Sequence, residues 1–159
     1  MYTNNKVGNV IYKVIEYFGD DVRRINHFLK VYGYAKMIGE WEILEVTAVL
    51  HDVGIKVAEQ KYNSSAGHYQ QLEGPPVAKK ILDELGYPDD FVERVMYLIA
   101  HHHTYTNIDG MDYQILVEAD FLVNADEDRL SSDAIENFKE KIFKTTTGIA
   151  VLENNYLNL

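Results

Sequence analysis

Apolar residues return every third or fourth position along most of this chain, and nowhere do polar and apolar residues alternate as in a half-buried strand. Val7, Val10, Ile11, Val14, Ile15 and Phe18 form one such stripe, which Gly19 stops. Asp20 or Asp21 can cap the next helix, whose apolar face runs Val22, Ile25, Leu29, Tyr32 and Ile38. A third helix is expected over roughly 40–52, with Leu44, Thr47, Ala48 and His51 on one face. Residues 54–72 lose clear periodicity and read as a long loop. Pro75 and Pro76 suit the first turn of a helix that runs to about Leu85 and is closed by Gly86. Further helices are expected over about 90–102, 111–128 and, after a cap at Ser131-Ser132, 132–144, with a turn at 108–110. Seven or so helices with short connections make an all-α bundle.

A length of 159 residues suits one domain, here 1–159, with a core of ordinary size. The 47% hydrophobic and 25% charged residues are those of a globular chain, not a disordered one. The absence of cysteine excludes a disulfide scaffold, a thiolate zinc site and a thiol nucleophile together. No apolar run is long enough for a membrane span, and the first ten residues lack the basic start and apolar run of a signal peptide. A cytoplasmic location and no membrane partner are therefore expected. The formal net charge is −10, and the longest cationic features are the pairs Arg23-Arg24 and Lys79-Lys80. A nucleic-acid duplex is not an expected partner of such a chain. A small phosphorylated substrate is compatible with it, provided a metal supplies local positive charge. Oligomeric state is left open, a homo-oligomer being one option.

Three polar features stand out from the apolar pattern. His51-Asp52 places an imidazole and a carboxylate side by side at a helix end, as adjacent ligands or as a terminal histidine followed by a capping acid. His27 lies on a helix among apolar neighbours, as a ligand or a core histidine. Asp120 sits in ILVEADFLVNAD, on one face with Tyr113, Leu116 and Val123. A buried carboxylate is costly unless it binds a metal or forms a salt bridge, and no Lys or Arg lies within one turn of Asp120. Imidazole and carboxylate donors suit Fe, Mn, Zn, Ni or Co, not the all-oxygen cage of calcium.

Taken in order, His27, His51-Asp52 and Asp120 resemble the H…HD…D signature of the HD-domain metal-dependent phosphohydrolase superfamily. Arg24 is similar to the start of the family's RxxH. EGPPVAKKIL resembles its GA-type helix, and LIAHHHTYTNIDG resembles its HH…DG segment. The resemblance covers about residues 20–125. It implies an HD-domain-like helical bundle around one or two divalent ions, with His27, His51, Asp52 and Asp120 as primary ligands. Most members hydrolyse small phosphate esters, nucleotides among them; a minority are two-iron oxygenases. Two-metal members add histidines from mid-chain. His102, on one face with Val95, Leu98 and Ile99, is the first choice for a second site, then His101, with His103 read as a loop residue. The chain departs from the family at Gln70, where two-metal members commonly carry a histidine. His68 and Glu73 are either substitutes or an ordinary loop histidine and helix-start acid. The family's HDxGK is also altered, since Ile55 follows Gly54 and the lysine is Lys56.

The chemistry so implied is hydrolysis of a small phosphate ester by a metal-activated water. A divalent ion can lower the pKa of bound water from 15.7 to about 7. Asp52, with two oxygens, can bridge two ions, and His102 or His103 can serve as general acid or as ligand. Arg24 and Lys56, with Arg23 and Lys61, are candidates to hold phosphate or are solvated surface charges. Tyr32, Tyr34, Tyr62, Tyr69, Tyr97, Tyr105 and Tyr113 either offer a ring to a nucleobase or pack helix boundaries. The competing readings are a two-iron oxygenase on the same scaffold and a catalytically silent, metal-containing nucleotide-binding module.

Overall fold

The computed structural model describes residues 4–158. They form nine α-helices: α1 (Lys6–Phe18), α2 (Val22–Ile38), α3 (Glu42–Leu50), α4 (Ile55–Tyr62), α5 (Gly67–Glu84), α6 (Asp89–His101), α7 (Met111–Glu127), α8 (Ser132–Ile142) and α9 (Thr146–Leu152). A π-helical turn, Glu153–Leu157, follows, and the described residues contain no strand. The fold is all-α, as the periodicity requires.

Local chemistry sets many of the ends. Asn5 caps α1 by accepting from the Gly8 N–H at 2.9 Å, and Gly19, at φ +64, adopts the left-handed turn that closes it. Val10, Val14 and Phe18 form its buried stripe, each burial contributing about 1.5–3 kcal/mol. Of the two candidate caps for α2, Asp21 is used. Ser131 caps α8 and Thr145 caps α9. In α2 the buried face is His27, Phe28, Val31 and Ala35, rotated from the expected one, and Val22 is left exposed.

Two helices occupy the centre. α7 is buried on every side from Tyr113 to Val123, and α3 is buried from Val46 to Leu50. α3 packs against α1, α2, α6 and α7. A third group of side chains, with Phe121 stacked on Phe138 at 3.8 Å, seats α8 and α9 against the far part of α7. Buried Glu118 ties that end together by accepting from the Lys144 and Thr145 N–H groups at 2.8 and 3.0 Å. No helix among the described residues is long and apolar enough to cross a membrane.

The expected long loop at 54–72 is mostly helix: α4 occupies 55–62, and α5 already begins at Gly67. Pro75 and Pro76 consequently lie inside α5, not in its first turn. An interior proline removes a helix hydrogen bond and costs about 3 kcal/mol or more, so local rules point to a helix start there. The tertiary context overrides them. Ala66 provides no side-chain cap, and buried Gln70, Glu73 and Gly74 fasten the turns before the prolines to their neighbours. The C-terminal α9 and its π turn likewise carry no signal in the sequence, being too short to show a periodic stripe.

Gly54 explains why α4 and α5 can lie so close beside the site. A Cβ there would come within 2.5 Å of both Gln70 O and Gly74 N, which are backbone atoms unable to yield separately. Gly54→Ala should therefore destabilise the protein by about 1–3 kcal/mol, as overpacking does, and displace the turn that carries Asp52. Thermal melting and the metal affinity of the variant check this; unchanged values for both would contradict the close approach.

Candidate metal centre

Four separate segments deliver polar side chains to one point. His27 comes from the middle of α2. His51 and Asp52 occupy the turn closing α3, whose backbone stays helical at His51 (φ −55, ψ −35) and so turns the two side chains toward a common centre. Asp120 comes from buried α7 and His102 from the end of α6. His27 Nε2 lies 3.2 Å from His51 Nε2, from Asp52 Oδ2 and from Asp120 Oδ1. His51 Nε2 lies 3.3 Å from Asp52 Oδ2 and 3.4 Å from Asp120 Oδ1.

These donors fit a metal ion. Ligand bonds of about 2.0–2.2 Å separate neighbouring donor atoms by about 3.0–3.5 Å, and all five of the separations above fall in that range. The ring tautomers agree. His51 Nδ1 donates to Ala48 O at 2.7 Å, His102 Nδ1 to Ile99 O at 2.7 Å, and His27 Nδ1 to Glu127 Oε2 at 2.8 Å. Each neutral ring then points the Nε2 lone pair inward. Asp120 Oδ1 and His102 Nε2 are buried without a hydrogen-bond partner among the described residues, a costly condition that a cation relieves. His27, His51 and Asp52 form a group able to hold an ion, and Asp120 reaches both of its imidazoles.

The local field asks for positive charge. Burial opposes protonation of His27, yet contacts with Asp120 and Asp52 outweigh it and push the imidazole up to about 11. His51 is pushed up to about 10 against the same burial, first by the Asp52 charge. Burial works to raise the carboxyls of Asp52 and Asp120, but the neighbouring histidines hold both well below the usual carboxylate range. Two protons or one divalent cation can meet that demand.

Asp52 faces two ways. Its Oδ2 meets His27 and His51, while its Oδ1 lies 3.4 Å from His102 Nε2. Asp52, His102 and His103 form a second group with metal-ligand spacing. His103, expected in the sequence to be a loop residue, thus stands beside the centre, its ring 3.9 Å from that of His102. Burial, and then the neighbouring His102, push it down to about 4, which keeps it neutral.

His101 is not brought in. Its Nδ1 donates to Tyr97 O at 2.7 Å and its ring lies against Tyr97. Successive residues on a helix diverge by about 100°, so only one of the pair can face the carboxylates, and His102 does. Lys56 also points elsewhere, donating to Tyr17 O at 2.9 Å over the Tyr17 ring. Arg24 lines the cleft, but Asp21 and Glu59 engage its guanidinium. Glu73 is turned away, accepting from Lys61 and Tyr62 at 2.8 Å each. Gln70 is buried near His103, and His68 stands at the cleft rim, packed on Tyr69.

A cleft of about 890 Å³ opens onto the centre, with His27, Asp52 and Asp120 at its floor. Its walls carry Arg23, Gln71, Asn124 and Asp128. Arg23 is exposed and makes no hydrogen bond or ion pair among the described residues, so it is the cleft cation most available to an anion. None of the seven tyrosines singled out in the sequence lines the cleft. Glu127, which does line it, gave no signal in the sequence: it sits at a helix end among other acids, and only the approach of α2 to α7 reveals its contact with His27.

The family model for the HD domain matches residues 24–137. The chain belongs to the HD domain family. His27, His51, Asp52 and Asp120 all fall within that match. The crystal structure of a predicted HD superfamily hydrolase from an uncultured Thermotogales bacterium is similar to this HD domain with a TM-score of 0.63, covering 95% of this chain and 83% of that one at 22% identity. That likeness establishes the fold. No curated protein matches the chain.

Proposed function

We propose that this HD domain is a metal-dependent phosphohydrolase acting on a small soluble phosphate ester, with nucleotides first among the candidates. The observation that carries the reading is the convergence of His27, His51, Asp52 and Asp120, at separations suited to metal ligation, on the floor of an open cleft. A divalent ion there supplies Lewis acidity and lowers the pKa of a bound water. The protein's own groups bind and orient. Asp52, Asp120, Glu127 and Asp128 give the metal-free cleft a negative face, so a phosphate is admitted only once cationic charge is in place. Arg23 is suited to hold a phosphate oxygen. His103, kept neutral and near Asp52, is placed to accept a proton from a water or hydroxyl in the cleft.

A second reading, a two-iron oxygenase, draws support from the two-faced contacts of Asp52, because Asp52, His102 and His103 would offer a second ion its own ligands. The test is phosphate release from nucleoside monophosphates, sugar phosphates and an aryl phosphate, by protein loaded in turn with Mn, Fe, Co, Ni and Zn. Metal-dependent release from at least one ester is expected. No release from any ester, together with O₂ consumption by the iron-loaded protein, would give the second reading the place of the first.

A further inference from the structure

The three inward-facing histidines are aimed by different means. His51 and His102 lie at helix ends, where carbonyls three residues back are left free by the helix and accept from their Nδ1 groups. His27 lies in the middle of α2, where the backbone carbonyls are committed to the helix. Its Nδ1 has to find a partner elsewhere, and finds Glu127 Oε2 at 2.8 Å, one hundred residues away in sequence. Glu127 is the last residue of α7 and lies two turns beyond Asp120 on the same helix. Its other oxygen, Oε1, is 3.7 Å from the Nζ of Lys30 on α2.

We propose that Glu127 is a positioning residue: it fixes the tautomer of His27, aims Nε2 at the metal, and through its charge strengthens that nitrogen as a donor. The proposal rests on the reading that His27, His51, Asp52 and Asp120 hold a divalent ion. Orientation of a metal-bound imidazole by a carboxylate on its other nitrogen is a general device, and its loss typically costs about 10–100-fold in affinity or activity. Two features make Glu127 more than a surface charge. Its side chain is four-fifths buried, whereas Lys30 is more than half exposed and contributes little. It also shares α7 with Asp120, so one helix supplies both a ligand and the orienting group of another. The approach of α2 to α7 thereby sets the geometry at His27.

The experiment is a competition titration of Zn²⁺ and Co²⁺ against a chromophoric chelator, using the full chain as wild type, E127A, E127Q, E127D and K30A. Metal-free melting curves serve as the control for folding. E127A is expected to bind about 10–100-fold more weakly than wild type. E127Q, which can still accept from Nδ1 but lacks the charge, should lose less. E127D keeps the charge but is one methylene short, so it should lose more than E127Q. K30A should bind as wild type does. In the ¹⁵N spectrum of the Zn-loaded protein, the His27 Nδ1–H signal should persist in wild type and E127Q and broaden or vanish in E127A. Wild-type affinity and a persistent Nδ1–H in E127A would overturn the proposal, as would equal losses in E127A and K30A. If E127A fails to fold, E127Q and E127D decide, and wild-type affinity in both overturns the proposal. A wild type that binds no ion refutes the metal reading itself, and the role of Glu127 with it. That result differs from tight binding by a wild type whose Glu127 variants bind equally well.

Discussion

Asp52→Ala is expected to remove essentially all metal-dependent phosphate release, whereas His68→Ala should keep at least about a hundredth of it. The difference follows from what each side chain touches. Asp52 Oδ2 closes the group made with His27 and His51, and its Oδ1 faces His102. Removing both oxygens opens the coordination sphere and leaves three imidazoles around a void, so the activated water is lost with the ion. His68 lies at the cleft rim against Tyr69, outside both groups able to hold an ion. Its loss can disturb substrate at most. The check is phosphate release by wild type, Asp52→Ala, Asp52→Asn and His68→Ala across the metal series, with metal content measured on the same samples. Asp52→Asn keeps the shape of the side chain and separates loss of charge from loss of fold. Wild-type turnover by Asp52→Ala would falsify the proposed chemistry.

The second large effect concerns stability. Protein stripped of metal should become less stable as pH rises through the neutral and mildly alkaline range. His27 and His51 are raised from 6.5 to about 11 and about 10, so between those limits the folded chain holds protons that the unfolded chain has released. Their contribution is complete below about 6.5 and fades as pH climbs toward 10. Asp52 and Asp120 are depressed, so theirs is present above the ordinary carboxylate value and is lost in acid. The metal-free protein should therefore be most stable in mildly acidic solution. A bound ion takes the place of the protons and needs neutral imidazoles. The gap in melting temperature between loaded and stripped protein should thus widen from pH 6 to pH 9. In a chain of this size each 2 kcal/mol corresponds to about 4–8 °C. Melting curves at pH 6, 7.5 and 9, with and without chelator, measure the gap, and a constant gap would contradict the linkage.

The primary cluster is legible in the sequence through the resemblance of His27, His51-Asp52 and Asp120, in that order, to the family signature. Of the four, only Asp120 stands out by itself, as a carboxylate within an apolar stretch of helix. The second group is less legible. The apolar face of α6 singles out His102 in the sequence, but which neighbour joins it depends on where α6 stops: His101 points back at Tyr97, while His103 leaves the helix and returns beside His102. Lys56 and Arg24 show the same limit for cations. Their charge is plain in the sequence, but Tyr17, Asp21 and Glu59, which hold them, are placed there by the packing of α1, α2 and α4.

By itself the sequence determined the helical class and most helix ends, because periodicity and capping act within a few residues of chain; the four candidate ligand positions came from the resemblance of their ordered set to the family signature. Only the tertiary structure decided that residues 55–62 and 67–74 are helical, that Gly54 lets α4 lie against α5, and that Glu127 orients His27. Those outcomes rest on contacts between segments far apart in sequence, here up to one hundred residues, whose energies of packing and hydrogen bonding outweigh the local preferences a sequence displays.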